Sequence, residues 1–69
     1  MKLSARNQFP GTILDVQKGA TTTHVRIEIT AGIVFTASIT NEAAEELALK
    51  KGGKAYAVVK ASDVMVGVE

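Results

Sequence analysis

Residues 23–30 alternate cleanly, with Val25, Ile27 and Ile29 on one side and His24, Arg26, Glu28 and Thr30 on the other. A period of two built from β-branched residues predicts a strand with one buried face. Ala31-Gly32 follows, and glycine supplies the positive φ that a tight hairpin needs. A second alternating run comes next, with Ile33, Phe35, Ala37 and Ile39 on one face and Val34, Thr36, Ser38 and Thr40 on the other. Pairing the two runs lets their apolar faces coincide. Upstream, residues 12–17 read as a further strand closed by Lys18-Gly19, and Phe9-Pro10-Gly11 is expected to break any pattern begun at the N-terminus.

The period changes at Thr40-Asn41. Residues 42–51 are rich in strong helix formers. Thr40 or Asn41 can cap the first turn, and the glutamates suit the positive end of the helix dipole. Lys50 and Lys51 suit the other end, and Gly52-Gly53 reads as the stop. Two more strands are predicted over about 54–60 and 62–68. The order strand, strand, strand, helix, strand, strand predicts an all-β fold, a five-stranded OB-like Greek-key barrel with one short helix between the third and fourth strands. Another small β-roll has the same order.

Length and charge narrow the function classes. With 69 residues the chain reads as one domain, whose small core calls for added support. It has no cysteine, so disulfides are excluded, and the single His24 cannot close a zinc site. Association with further copies is the support that remains. Eight basic and seven acidic side chains leave a net charge of +1, which argues against a duplex-binding face. The run Ile33-Val34-Phe35 is too short to span a bilayer, and Met1-Lys2-Leu3-Ser4 lacks the apolar centre of a signal peptide, so the cytoplasm is the expected compartment.

Three clusters offer donors to an anion. A helix start at Thr40–Ala44 leaves backbone N–H groups without internal partners, and Thr40 and Asn41 add side-chain donors, although most such starts are simply capped. Ser4 and Arg6 stand two apart, as do Lys60 and Ser62; in extended chain each pair shares one side and sets a hydroxyl beside a cation. Taken alone, each cluster is better explained by plain capping or by solvated surface residues. His24 lies on a polar strand face with no serine or cysteine nucleophile at motif spacing, so no enzyme is expected. A small OB-fold interaction or nucleic-acid-binding module is the alternative. Its aromatics would be Phe9, Phe35 and Tyr56, with Phe35 on the core side of its strand.

Ser4-Ala5-Arg6-Asn7-Gln8, Gly11, Ser38-Ile39-Thr40, Glu45-Glu46-Leu47 and Val59-Lys60-Ala61-Ser62-Asp63-Val64-Met65 together resemble the molbindins, small molybdate-binding proteins built from one Mop/TOBE module. The resemblance runs from Lys2 to Val68 and implies a single Mop/TOBE domain over 1–69. It implies a cytoplasmic store for molybdate or tungstate, with no other cofactor, no bare metal cation, no nucleic acid and no membrane. It also implies a homohexamer arranged as a trimer of dimers, with anions held between subunits. By position, Ser4, Arg6, Lys60 and Ala61 or Ser62 would come from one subunit, and Thr40, Asn41 and Ala43 from its neighbour. TOBE units are also appended to transporter ATPases and DNA-binding regulators. Two positions depart from the pattern: Ala43 stands where many relatives carry serine, leaving only a backbone donor, and Phe9-Pro10 stands where Leu-Lys is common.

Overall fold

A computed structural model describes residues 1–69. Four strands, β1 (Asn7–Lys18), β2 (Thr22–Thr30), β3 (Ile33–Thr40) and β4 (Lys54–Val59), form one curled antiparallel sheet in the order β3-β2-β1-β4. A six-residue helix, α1 (Asn41–Glu46), follows β3, and a 3-10 turn (Ala61–Asp63) follows β4. β1 is used twice. Its first half pairs with β4, from Asn7↔Val59 to Thr12↔Lys54, and its second half with β2, from Thr12↔Glu28 to Lys18↔Thr23. The register shifts between Ile13 and Asp15, a bulge that bends the strand as it passes from one partner to the other.

The core is built from β1, β2 and β4. Ile13, Val25, Ile27 and Ala57 are buried, and Phe9, Val16, Ile29, Phe35, Ile39, Leu49 and Ala55 pack around them. The Phe9 and Phe35 rings lie 5.3 Å apart, tilted by 33°. Gly11 allows β1 to lie against β2: a Cβ there would stand 2.6 Å from the Glu28 carbonyl oxygen. Gly32, at φ +83, makes the expected tight turn between β2 and β3.

Three expectations are corrected. Pro10 does not break a strand but sits inside β1, opposite Tyr56. Pairing with β2 begins only at Thr12, so on that flank no ladder exists for the missing N–H to interrupt. The helix ends at Glu46 rather than Lys51. Ala48 turns the chain at φ +51, and Leu49 then packs against the core while Leu47 is left exposed. Core packing thus overrides helix propensity, and residues 50–53 become a turn fastened to β1. In that turn the Gly52 N–H donates to the Ile13 carbonyl at 2.8 Å, and the Ile13 N–H to the Gly53 carbonyl at 2.9 Å. The fold has four strands, not five. Beyond Val59 the chain runs past the end of β1, so the strand expected over 62–68 has no neighbouring strand to pair with. Met65, Val66 and Val68 are each more than 90% exposed.

Candidate functional site

The β1–β4 ladder places the first donor set. Asn7 pairs with Val59, so one step further outward Arg6 enters β1 as Lys60 leaves β4. The Asn7 side-chain amide fastens this end by donating to the Val59 carbonyl at 3.2 Å, 52 residues away in sequence. Arg6 and Lys60 are both exposed, and neither has an ion pair or a side-chain hydrogen bond within the chain. Two like charges thus stand at one end of the sheet with no acidic side chain paired to either. Ser4 and Ser62 flank them, also exposed.

The local geometry differs from the extended segments expected. Ser4 and Arg6 lie on bends, and Ala61–Asp63 form a 3-10 turn whose Asp63 N–H donates to the Lys60 carbonyl at 2.9 Å. The extended-chain argument for each pair therefore does not apply, and it is strand register that sets Arg6 and Lys60 at the same end of the sheet. The first amides of the turn, at Ala61 and Ser62, stand outside its own ladder.

Thr40, Asn41 and Ala43 form the second set, where β3 passes into α1. Thr40 is the N-cap, in extended conformation, and its Oγ1 accepts from the Ala43 N–H at 3.0 Å. That bond uses an oxygen lone pair and leaves the hydroxyl proton free to donate elsewhere. Asn41 is tied inward. Its Oδ1 accepts from the buried Thr23 hydroxyl at 2.6 Å, and its Nδ2 donates to the Gly19 and Ala20 carbonyls at 3.1 and 3.3 Å. The Asn41 backbone N–H also donates to the Thr21 carbonyl at 3.4 Å. Its side-chain donors are thus engaged inside the chain.

Thr23 was not among the expected site residues. Strand parity sets it on the same side as Val25 and Ile27, so a polar residue on the core face is the signal that marks it.

Thr40 pairs with Thr22, beside the Lys18 end of β1, whereas Arg6 and Lys60 flank its Asn7 end. No hydrogen bond joins the two sets. Elsewhere, Arg26 donates through Nε and Nη2 to Asp15 Oδ2 at 2.9 and 2.5 Å, directly across the β1–β2 ladder. That hydrogen bond holds the Asp15 carboxyl below the usual carboxylate range and raises the Arg26 guanidinium above its ordinary value. These two side chains neutralise each other, unlike Arg6 and Lys60.

The TOBE domain family model matches residues 3–66. The chain is 44% identical, over the full length of both, to a probable molybdenum-pterin-binding protein of Haemophilus influenzae. The structure of MopII from Clostridium pasteurianum superposes with a TM-score of 0.88 at 40% identity, covering 97% of this chain and all of that one. The cytoplasmic molybdate-binding protein ModG, solved with molybdate bound, superposes at 0.92 and 42% identity, covering all of this chain and 49% of ModG. A family model spanning nearly the whole chain and full-length likeness to Mop proteins in sequence and in fold thus agree, and the chain belongs to the molbindin, or Mop/TOBE-domain, family.

Proposed function

We propose that this protein binds a tetrahedral oxyanion, molybdate or tungstate, between copies of itself, and that the assembly stores the anion in the cytoplasm. The observation that carries this reading is that Arg6 and Lys60 flank the Asn7↔Val59 end of the β1–β4 ladder, both exposed and neither ion-paired within the chain. A dianion supplies a counter-charge. Its oxygens would accept from Arg6, Lys60, the Ser4 and Ser62 hydroxyls and the amides near Ala61.

The Thr40 hydroxyl proton, near the Lys18 end of β1, suits a partner subunit that covers the anion's far side, and the Ala43 N–H would join it by exchanging Thr40 Oγ1 for an anion oxygen. One chain presents both halves, so copies related by symmetry complete each other's sites. A homohexamer, arranged as a trimer of dimers, is the assembly proposed. The exposed Val64, Met65, Val66 and Val68 supply apolar surface for subunit contacts. The bound anion would stabilise the assembly by mass action. Likeness to ModG, which was solved with molybdate, supports the choice of ligand. Phe9 and Phe35 pack against each other, leaving Tyr56 alone as an exposed aromatic and weakening the base-stacking alternative.

Native mass spectrometry with molybdate, and in parallel with sulfate, tests the reading. The expected result is an oligomer gaining discrete molybdate adducts that sulfate does not reproduce. Arg6→Ala or Lys60→Ala should weaken affinity by about 30-fold or more, because truncating one member of a desolvated charge pair costs about 2–5 kcal/mol. A monomer indifferent to both anions, or unchanged affinity in both variants, would discard the reading.

A further inference from the structure

We infer that Asn41 serves the oxyanion site as a positioning residue, locked by the buried hydroxyl of Thr23, and that it is not a side-chain ligand. The inference rests on the reading that Thr40 and Ala43 belong to that site. Asn41 follows the proposed Thr40 donor as the first residue of α1. Its amide is read unambiguously from its neighbours, since Gly19 and Ala20 present carbonyl oxygens that only the NH2 group can satisfy. The remaining Oδ1 must then take a proton, and Thr23, 1% exposed, gives it at 2.6 Å.

One acceptor and both donors of the amide are thereby used before any ligand arrives. Together with the Asn41 N–H to the Thr21 carbonyl, these bonds fasten the β3–α1 junction onto the turn between β1 and β2. Thr40, whose oxygen is held by the Ala43 N–H, then projects its free hydroxyl proton from a fixed point. A ligand role for Asn41 would require breaking three bonds to make one or two. A positioning role requires breaking none.

Thr23→Val keeps shape and volume but removes the proton from Oδ1. In folded, assembled protein the expected loss of molybdate affinity is about tenfold, the effect of one partly buried hydrogen bond left unmade. Asn41→Ala should lose at least as much. The double variant should be no worse than Asn41→Ala, because both changes sever one connection. Thr23→Ser, which restores the hydroxyl, should restore affinity. A purely structural role would lower the melting temperature while leaving the Kd of the folded oligomer unchanged, so both are measured on the same samples.

Wild-type NMR gives a readout that needs no variant. The Asn41 side-chain NH2 protons should be protected from exchange before molybdate is added, and should stay on their carbonyls afterwards. Wild-type affinity in folded Thr23→Val, additive losses in the double variant, or an NH2 group that moves onto the anion would each overturn the inference. Thr40→Val separates this failure from failure of the site itself. If Thr40→Val weakens binding and Thr23→Val does not, only the positioning role is lost. If neither matters, or if wild-type protein ignores molybdate, the site reading and the inference fall together.

Discussion

Replacing Gly11 with alanine adds one methyl group where β1 passes against β2. An ideal Cβ there would lie 2.6 Å from the Glu28 carbonyl oxygen, 2.7 Å from Ile27 Cγ2 and 3.1 Å from Ile29 Cδ1. Carbon atoms settle at about 3.5–4.0 Å, so at least two neighbours must each yield by more than about half an ångström. Neither is free to do so. Ile27 is buried in the core, and the Glu28 backbone is paired with Thr12 on one side and Val34 on the other. Overpacking of this kind costs about 1–3 kcal/mol, and two rigid obstacles place Gly11→Ala near 3 kcal/mol.

A domain of this size has about 3–10 kcal/mol of stability in all, so the melting temperature should fall by about 12 °C or more. Urea unfolding at several protein concentrations separates this effect from the stabilisation that association adds. Gly32→Ala is the comparator. It meets no atom within 4 Å, and only its φ of +83 opposes the substitution, at about 1 kcal/mol. A Gly11→Ala variant no less stable than Gly32→Ala would refute the close approach of the two strands.

Ala48 is the one non-glycine residue at positive φ, so Ala48→Gly should raise stability by up to about 1 kcal/mol; a loss of stability on urea titration would contradict the turn geometry. Arg26 holds the Asp15 carboxyl below its ordinary range, so their bond stabilises the fold above the unfolded carboxyl's pKa and is lost as pH falls through the folded one. Melting temperatures followed from pH 6 downward should therefore drop less steeply in Asp15→Asn than in wild type, and parallel curves would remove this pair from the acid response.

The β2–β3 hairpin is legible from alternation and Gly32, although a bulge between Glu28 and Thr30 shifts the register beside the turn, and Thr40 reads as a cap for similar local reasons. Elsewhere local signals lose to distant ones. Pro10 is tolerated because of which flank of β1 is paired, a fact about β2 and β4 rather than about Phe9-Pro10-Gly11. The helix-forming residues 47–51 are turned aside by the demand of Leu49 for the core. Residues 64–68 are valine-rich as a strand would be, but composition does not supply an edge to pair with. Arg6 and Lys60 are recognisable as cations beside hydroxyls, yet their juxtaposition comes from a ladder that joins opposite ends of the chain. Asn41 reads as a free donor until the Thr23 hydroxyl and two turn carbonyls are seen to occupy it.

The ladder between β1 and β4 also sets an order of events. Asn7 meets Val59, so loop closure over some fifty residues must precede the pairing, whereas the hairpins between β1, β2 and β3 close locally and early. During synthesis Arg6 is made before β2, β3 and α1, and Lys60 only after them. A nascent chain can therefore form three strands and its helix while holding only half of the cation pair. Oxyanion capture on this reading begins only when β4 docks, which makes affinity for the anion a report on completed folding.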